Sequence, residues 1–125
     1  MTKFYIFYNI ELIGNIMKWV SRTEEMILLA VHQLGGDAYG LAIRDYLKSV
    51  SGRRFSVGAV YVPLERLEQK GLLATREGDP TPERGGRSKR YYRLTPKGKK
   101  ALNEVKQLHD QLWAAYSSTQ GIEAS

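Results

Sequence analysis

The chain has 125 residues, 42% hydrophobic and 26% charged, which is the balance of an ordinary soluble globular domain with one modest core. It has no cysteine and only two histidines, His32 and His109, far apart in sequence. Disulfides, thiol chemistry, a zinc site and a histidine-based catalytic set are thereby disfavoured: no enzyme, cofactor or metal is expected, and a cytoplasmic location fits. The formal net charge is +6, and the nine cations against three acids between Arg76 and Lys100 account for all of it. So local an excess points to nucleic acid, the alternative being a solvated basic face.

Phe4 to Ile16 is apolar but broken by Asn9, Glu11 and Asn15, too short to cross a bilayer, which takes about 20 apolar residues. No small-x-small cleavage pattern follows it, and no membrane partner is expected. Residues 1–16 read as an N-terminal extension outside the fold: a non-native or disordered stretch ahead of a natural start at Met17, or a short helix added to a dimer surface.

Ser21 and Glu24 have the spacing of a capping box at the head of a first helix that runs to Leu34 and stops at Gly35-Gly36. That helix is apolar on nearly every side, so burial is expected against both its own domain and a second subunit. Asp37 is the expected cap of a second helix, Ala38 to about Val50, with a core stripe of Leu41, Ile43, Tyr46, Leu47 and Val50. Ser56 caps a third, Val57 to Lys70, closed by Gly71; Pro63 either bends it or lies near a start that slides towards Val60. Leu72 to Glu77 and Arg90 to Leu94 read as paired strands around a loop of two prolines and three glycines. Thr95-Pro96 opens a last helix whose Ala101, Val105, Leu108, Leu112 and Ala115 make a heptad-like seam, widened by Leu102, Trp113 and Tyr116.

Three helices followed by a basic hairpin is the winged-helix order, so the expected fold is mostly α with a small β-hairpin wing: a winged helix-turn-helix plus a C-terminal dimerisation helix. The expected divisions are 17–95 for the DNA-binding domain, 96–119 for the dimerisation helix and 120–125 for a tail. The third helix is the one to enter a major groove, leading with Ser56, Val57, Gly58, Ala59, Val60 and Tyr61. These are small and mostly apolar, suited to close approach and thymine methyls more than to hydrogen-bonded base reading. Affinity is expected from Arg84, Arg87, Lys89 and Arg90 of the hairpin, through phosphates or a narrow minor groove. A nucleotide phosphate loop competes poorly, since no G-x-x-x-x-G-K-[ST] is present. Tyr61 bonds a phosphate or packs, and one of Tyr91 and Tyr92 is core. Met26, Leu29, Val105, Leu108, Leu112, Trp113 and Tyr116 are the expected dimer interface, a helix folded back on its own domain being the alternative.

The runs Ala38-Tyr39-Gly40-Leu41-Ala42-Ile43, Ser56 to Tyr61, Leu64 to Leu73 and Gly85 to Thr95, then Gly98 and Ala101-Leu102, resemble the PadR-like transcriptional regulators in order over about residues 21–105. The resemblance implies a homodimer built by the last helix with help from the first. It further implies repression at an inverted-repeat operator in double-stranded DNA, and release by a small-molecule effector or another signal. It places Tyr61 among the DNA-binding residues with Arg87, Lys89 and Arg90 and supports Met17 as the start; Tyr39 is also expected among the DNA-binding residues. The chain is similar to the branch with one C-terminal helix, and departs from it in a longer wing through Pro80-Thr81-Pro82-Glu83. Some members stack planar drugs on a tryptophan of the last helix; Trp113 falls about one turn later. A winged-helix adaptor that binds protein instead of DNA is the alternative, which the basic wing disfavours.

Overall fold

The computed structural model describes residues 20–79 and 88–124, with side chains to residue 120. The expectations for the 1–16 extension and Met17, and for Pro80 to Arg87 with Arg84 and Arg87 among them, lie outside these residues. The elements in order are α1 (Arg22–Leu34), a 3₁₀ turn (Gly35–Asp37), α2 (Gly40–Ser51), α3 (Val57–Gln69), β1 (Leu73–Glu77), β2 (Arg90–Leu94) and α4 (Pro96–Ala124). The expected fold class is what the chain adopts: a helical domain carrying one two-stranded antiparallel hairpin and a C-terminal helix.

Helix α1 begins on the expected box, the Glu24 N–H donating to Ser21 Oγ at 3.2 Å and the Ser21 N–H to Glu24 Oε1 at 2.9 Å. Glu24 is 2% exposed, and its other oxygen meets Lys70 Nζ at 2.8 Å, tying the head of α1 to the foot of α3. Burial alone would raise this carboxyl; the Lys70 hydrogen bond and the Ser21 contacts outweigh it and hold it below the ordinary carboxylate range.

Helix α2 starts later than expected. Asp37 does not cap it: Gly35 to Asp37 turn as a 3₁₀ element, and Tyr39 is the N-cap, without a side-chain hydrogen bond. The cause is a competing pairing. The Ala38 carbonyl accepts from the Tyr92 N–H at 2.8 Å, and Tyr39 bridges antiparallel to Tyr91, so this segment stays extended until Gly40. Leu41 and Val50, placed in the core stripe by periodicity, are exposed, while Ile43 and Leu47 are buried.

Helix α3 keeps its Ser56 cap, whose Oγ accepts from the Ala59 N–H at 3.1 Å, and Pro63 lies inside it with its ring buried. One hydrogen bond is forgone there, and Val60, Leu64 and Leu67 bury fully on the same side. These join Ile27, Leu28, Val31, Ile43, Leu73 and Tyr92 in one core. Strands β1 and β2 pair Leu73 with Leu94, Thr75 with Tyr92 and Glu77 with Arg90. That register sends Tyr92 inward and leaves Tyr91 on the other face.

Helix α4 is locked at its start. Thr95 Oγ1 donates to the Gly71 carbonyl at 2.7 Å and accepts from the Gly98 N–H at 3.0 Å. Gly98 lies so close to the Leu72 carbonyl that a Cβ would overlap it. Beyond Val105 the described side chains of α4 are largely exposed, although His109 still reaches Glu25 of α1, and the helix runs past residue 119 to Ala124.

Two expectations follow. Gly98→Ala forces backbone apart and costs about 1–3 kcal/mol, lowering Tm in calorimetry by about 4–8 °C per kcal/mol; an unchanged Tm contradicts the close contact. Because the Glu24 carboxyl is lowered in the folded state, its contribution is present above the ordinary carboxylate range and is lost as pH falls through the folded value. Glu24→Gln therefore lowers stability by about 1 kcal/mol at neutral pH, and denaturant titrations of the two proteins converge in acid.

Candidate nucleic-acid interface

The leading end of α3 is open. Ser56, Val57, Gly58 and Ala59 are all exposed, and a Cβ at Gly58 would meet nothing within 4 Å. No described residue covers this end, so the backbone itself can approach a groove floor. The amides of the first turn and the helix dipole favour an anion there. Tyr61, one turn on, has its phenol against Gly40, the first residue of α2, so closely that any side chain at Gly40 would overlap it. Both readings of Tyr61 are compatible with this position: the ring packs on α2 and the residue keeps 39% of its surface exposed.

The base of the wing meets α2 at its neighbouring residue. The Tyr39 and Tyr91 rings lie edge to face, 5.7 Å between centroids. Lys89 Nζ sits 4.2 Å above the Tyr39 ring and the Arg76 guanidinium 4.3 Å above Tyr91. Arg76 also donates to the Gly36 carbonyl at 3.1 Å. Cations over ring faces are held in place while keeping their charge. Gly78 admits no side chain because Tyr91 lies against it. The Tyr39 and Lys89 of the expected set are thus in direct contact, and Tyr39 adjoins the Gly40 that holds Tyr61.

Arg90 stands apart from them. It shares the inward side of β2 with Tyr92, and its guanidinium lies 3.8 Å from Glu68 of α3 and 3.7 Å from Glu77 of β1. The Tyr92 hydroxyl and these carboxylates stabilise its protonated form, raising its pKa above the ordinary guanidinium value. Burial pushes the Tyr92 phenol above its usual range, against the pull of Arg90. Ser88 Oγ donates to Glu77 as well. Two acids therefore orient Arg90 and partly offset it, which a count of formal charge does not show.

Sequence reasoning passed over Arg53 and Arg54. They directly precede the Ser56 cap, and the signal was their adjacency to the leading end of α3; it was hidden because charges outside the wing cancel in the sum.

Among the described residues no group of His, Asp and Glu could hold a metal ion, and no helix is long and apolar enough to cross a membrane.

A family model of the PadR-like transcriptional regulators matches residues 27–104. A transcriptional regulator of Mycobacterium tuberculosis is 31% identical over 96 residues, which is 77% of this chain and 85% of that protein. Among solved structures, a PadR-like transcription factor from Bacteroides fragilis is similar with a TM-score of 0.67 and 25% identity, covering 87% of this chain and 98% of that one. A PadR-family regulator from Eggerthella lenta shares the fold with a TM-score of 0.62 at 24% identity, over 93% and 95% of the two chains. With this winged helix and these relatives, the chain belongs to the PadR-like family of transcriptional regulators, proteins that regulate through DNA and are not enzymes.

Proposed function

We propose that the protein is a homodimeric repressor that seats the leading end of α3 in the major groove of an inverted-repeat operator and grips the flanking backbone with its wing. The observation that carries this is the uncovered end of α3, Ser56 to Ala59, beside a wing base whose Lys89 is held over Tyr39. Tyr61 contributes its hydroxyl to a phosphate, Arg84 and Arg87 extend the grip from the wing, and Arg90 adds charge from its inward side. With so few hydrogen-bonding side chains on α3, specificity rests on groove shape, thymine methyls and half-site spacing.

The dimer reading is supported by an apolar stripe that the described residues leave uncovered. On α4, Leu108 is 38% exposed, Leu112 59%, Trp113 60% and Tyr116 51%, and Leu29 of α1 is 50% exposed. Contiguous apolar surface of this kind marks an interaction site, and its occupant is a second copy, with Met26 and Val105 at its edge. The α4 helix spans about 44 Å at 1.5 Å per residue, long enough to set a half-site spacing near one turn of DNA, about 34 Å. Release acts where α1 meets α4, where His109 Nε2 and Glu25 Oε2 are 2.9 Å apart. A small-molecule effector that reshapes this contact would tilt the two DNA-reading domains.

Fluorescence anisotropy on random duplex DNA across a salt series tests the first reading. Affinity falls steeply as salt rises; absent or salt-independent binding favours a protein-binding adaptor instead. Gly58→Glu separates fold from function. The acid at the helix N-terminus keeps or slightly raises Tm, while it fills and repels the groove, so DNA affinity falls at least about tenfold. Leu112→Glu places charge in the stripe and yields monomers in sedimentation velocity; a persistent dimer refutes the α4 interface.

A further inference from the structure

The wing does not hold all the free positive charge. Arg44 and Lys48 lie one turn apart on α2 and so share a face. The α2–α3 turn brings Arg54 opposite them, with Phe55 and Asp45 completing a recess of about 340 Å³. Asp45 is the single acid in the lining, and Arg44, Lys48 and Arg54 form no ion pair among the described residues. Arg90, by contrast, has two carboxylates beside it. Three cations gathered without matching acids repel one another, and a tetrahedral anion relieves that repulsion with charge-assisted hydrogen bonds.

The turn that presents Arg54 is fixed. Gly52 adopts φ +73°, and its N–H donates to the Lys48 carbonyl at 2.8 Å. Ser51 Oγ donates to the Leu47 carbonyl at 2.7 Å and accepts from the Arg53 N–H at 3.1 Å. Little ordering remains to be done on binding. Position gives the recess its occupant. Arg54 precedes the Ser56 cap of α3 by two residues, so the recess adjoins the leading end of the recognition helix. The wing base meets α2 at its other end, through Tyr39. A helix seated in the major groove has a sugar–phosphate strand on each side, and the wing serves only one.

We propose that Arg44, Lys48 and Arg54 form a phosphate site, separate from the wing, that takes a backbone phosphodiester of duplex DNA on the far side of α3. This rests on the DNA-binding reading above and deepens it. A free phosphate or phosphorylated metabolite has the same chemistry, and the test distinguishes the sources.

The recess variant Arg44→Gln, Lys48→Gln, Arg54→Gln is compared with the wild type and with the control Arg22→Gln, Lys106→Gln, which removes exposed cations of α1 and α4 outside the basic stretch of Arg76 to Lys100. Duplex affinity is measured as a function of salt, with Tm as the check on folding. The recess variant is expected to bind about tenfold more weakly on all sequences, with a log K against log[salt] slope shallower by about 1, while the control keeps the wild-type slope. Equal slopes for wild type and recess variant overturn the site, and so do equal losses in both variants. In a second arm, inorganic phosphate is titrated while amide resonances of Gly52 to Phe55 are followed by NMR. Phosphate-induced shifts lost in the recess variant, with an unchanged DNA slope, assign the site to a free phosphate and overturn the phosphodiester. If the wild type binds no duplex, the repressor reading falls, and the phosphate titration alone decides whether the recess is an anion site.

Discussion

The backbone of Ala38 and Tyr39 lies along β2, the Ala38 carbonyl bonded to the Tyr92 N–H at 2.8 Å, and the arrangement of the DNA-facing surface depends on that pairing. It adds a short third rung to the hairpin and draws the head of α2 to the wing. Because α2 packs on α3, the wing base and the leading end of α3 are held in one rigid relation. A hairpin attached only through its own two strands would swing about Leu72 and Leu94, and ordering it on DNA would cost conformational entropy each time. Here that ordering is already done by the fold. Tyr91 and Tyr39 add side-chain contact to the backbone bond, and Lys89 and Arg76 rest on their faces.

Charge on this surface is organised by what lies next to it. Arg90 is aimed by Glu68 and Glu77 and loses part of its reach to them. Lys89 lies over an aromatic ring, which fixes it without neutralising it. The cations around the α2–α3 turn have no ion-pair partner among the described residues. Exposed ion pairs contribute little to stability, so the Glu68–Arg90–Glu77 group matters chiefly for geometry. The half-buried Glu24–Lys70 pair ties α1 to the end of α3 within the core.

Much of this was legible in the sequence, because the signals were local. The Ser21 and Ser56 caps, the end of the second helix near Val50 and the hairpin strands are short-range chemistry, and each is read from the sequence to within a residue or two. What escaped depended on residues distant in the chain. Asp37 has every local qualification of an N-cap; it lost to a strand pairing with residues more than fifty positions away. Leu41 and Val50 fit a helical period yet face outward, since period alone does not say which face is covered. At the site, the run of small residues that leads α3 was readable in the sequence, and the structure leaves Ser56 to Ala59 exposed. The setting of Arg90 between acids was not readable there, nor was the gathering of Arg44 and Lys48 with Arg54. Charges that cancel in a sum still separate in space.

Gly40 carries a consequence of a different kind. It is buried at the start of α2 and presents nothing outward, yet the Tyr61 phenol lies where its side chain would be. A methyl group there would not touch an operator, and the core would scarcely register it, since the ring at the end of a flexible side chain can turn aside. The turned ring would project from α3 at a different angle into whatever α3 approaches. On the proposed repressor reading, a genetic screen for lost repression would then return a glycine with no contact of its own, the missing atom mattering through the tyrosine that fills its place.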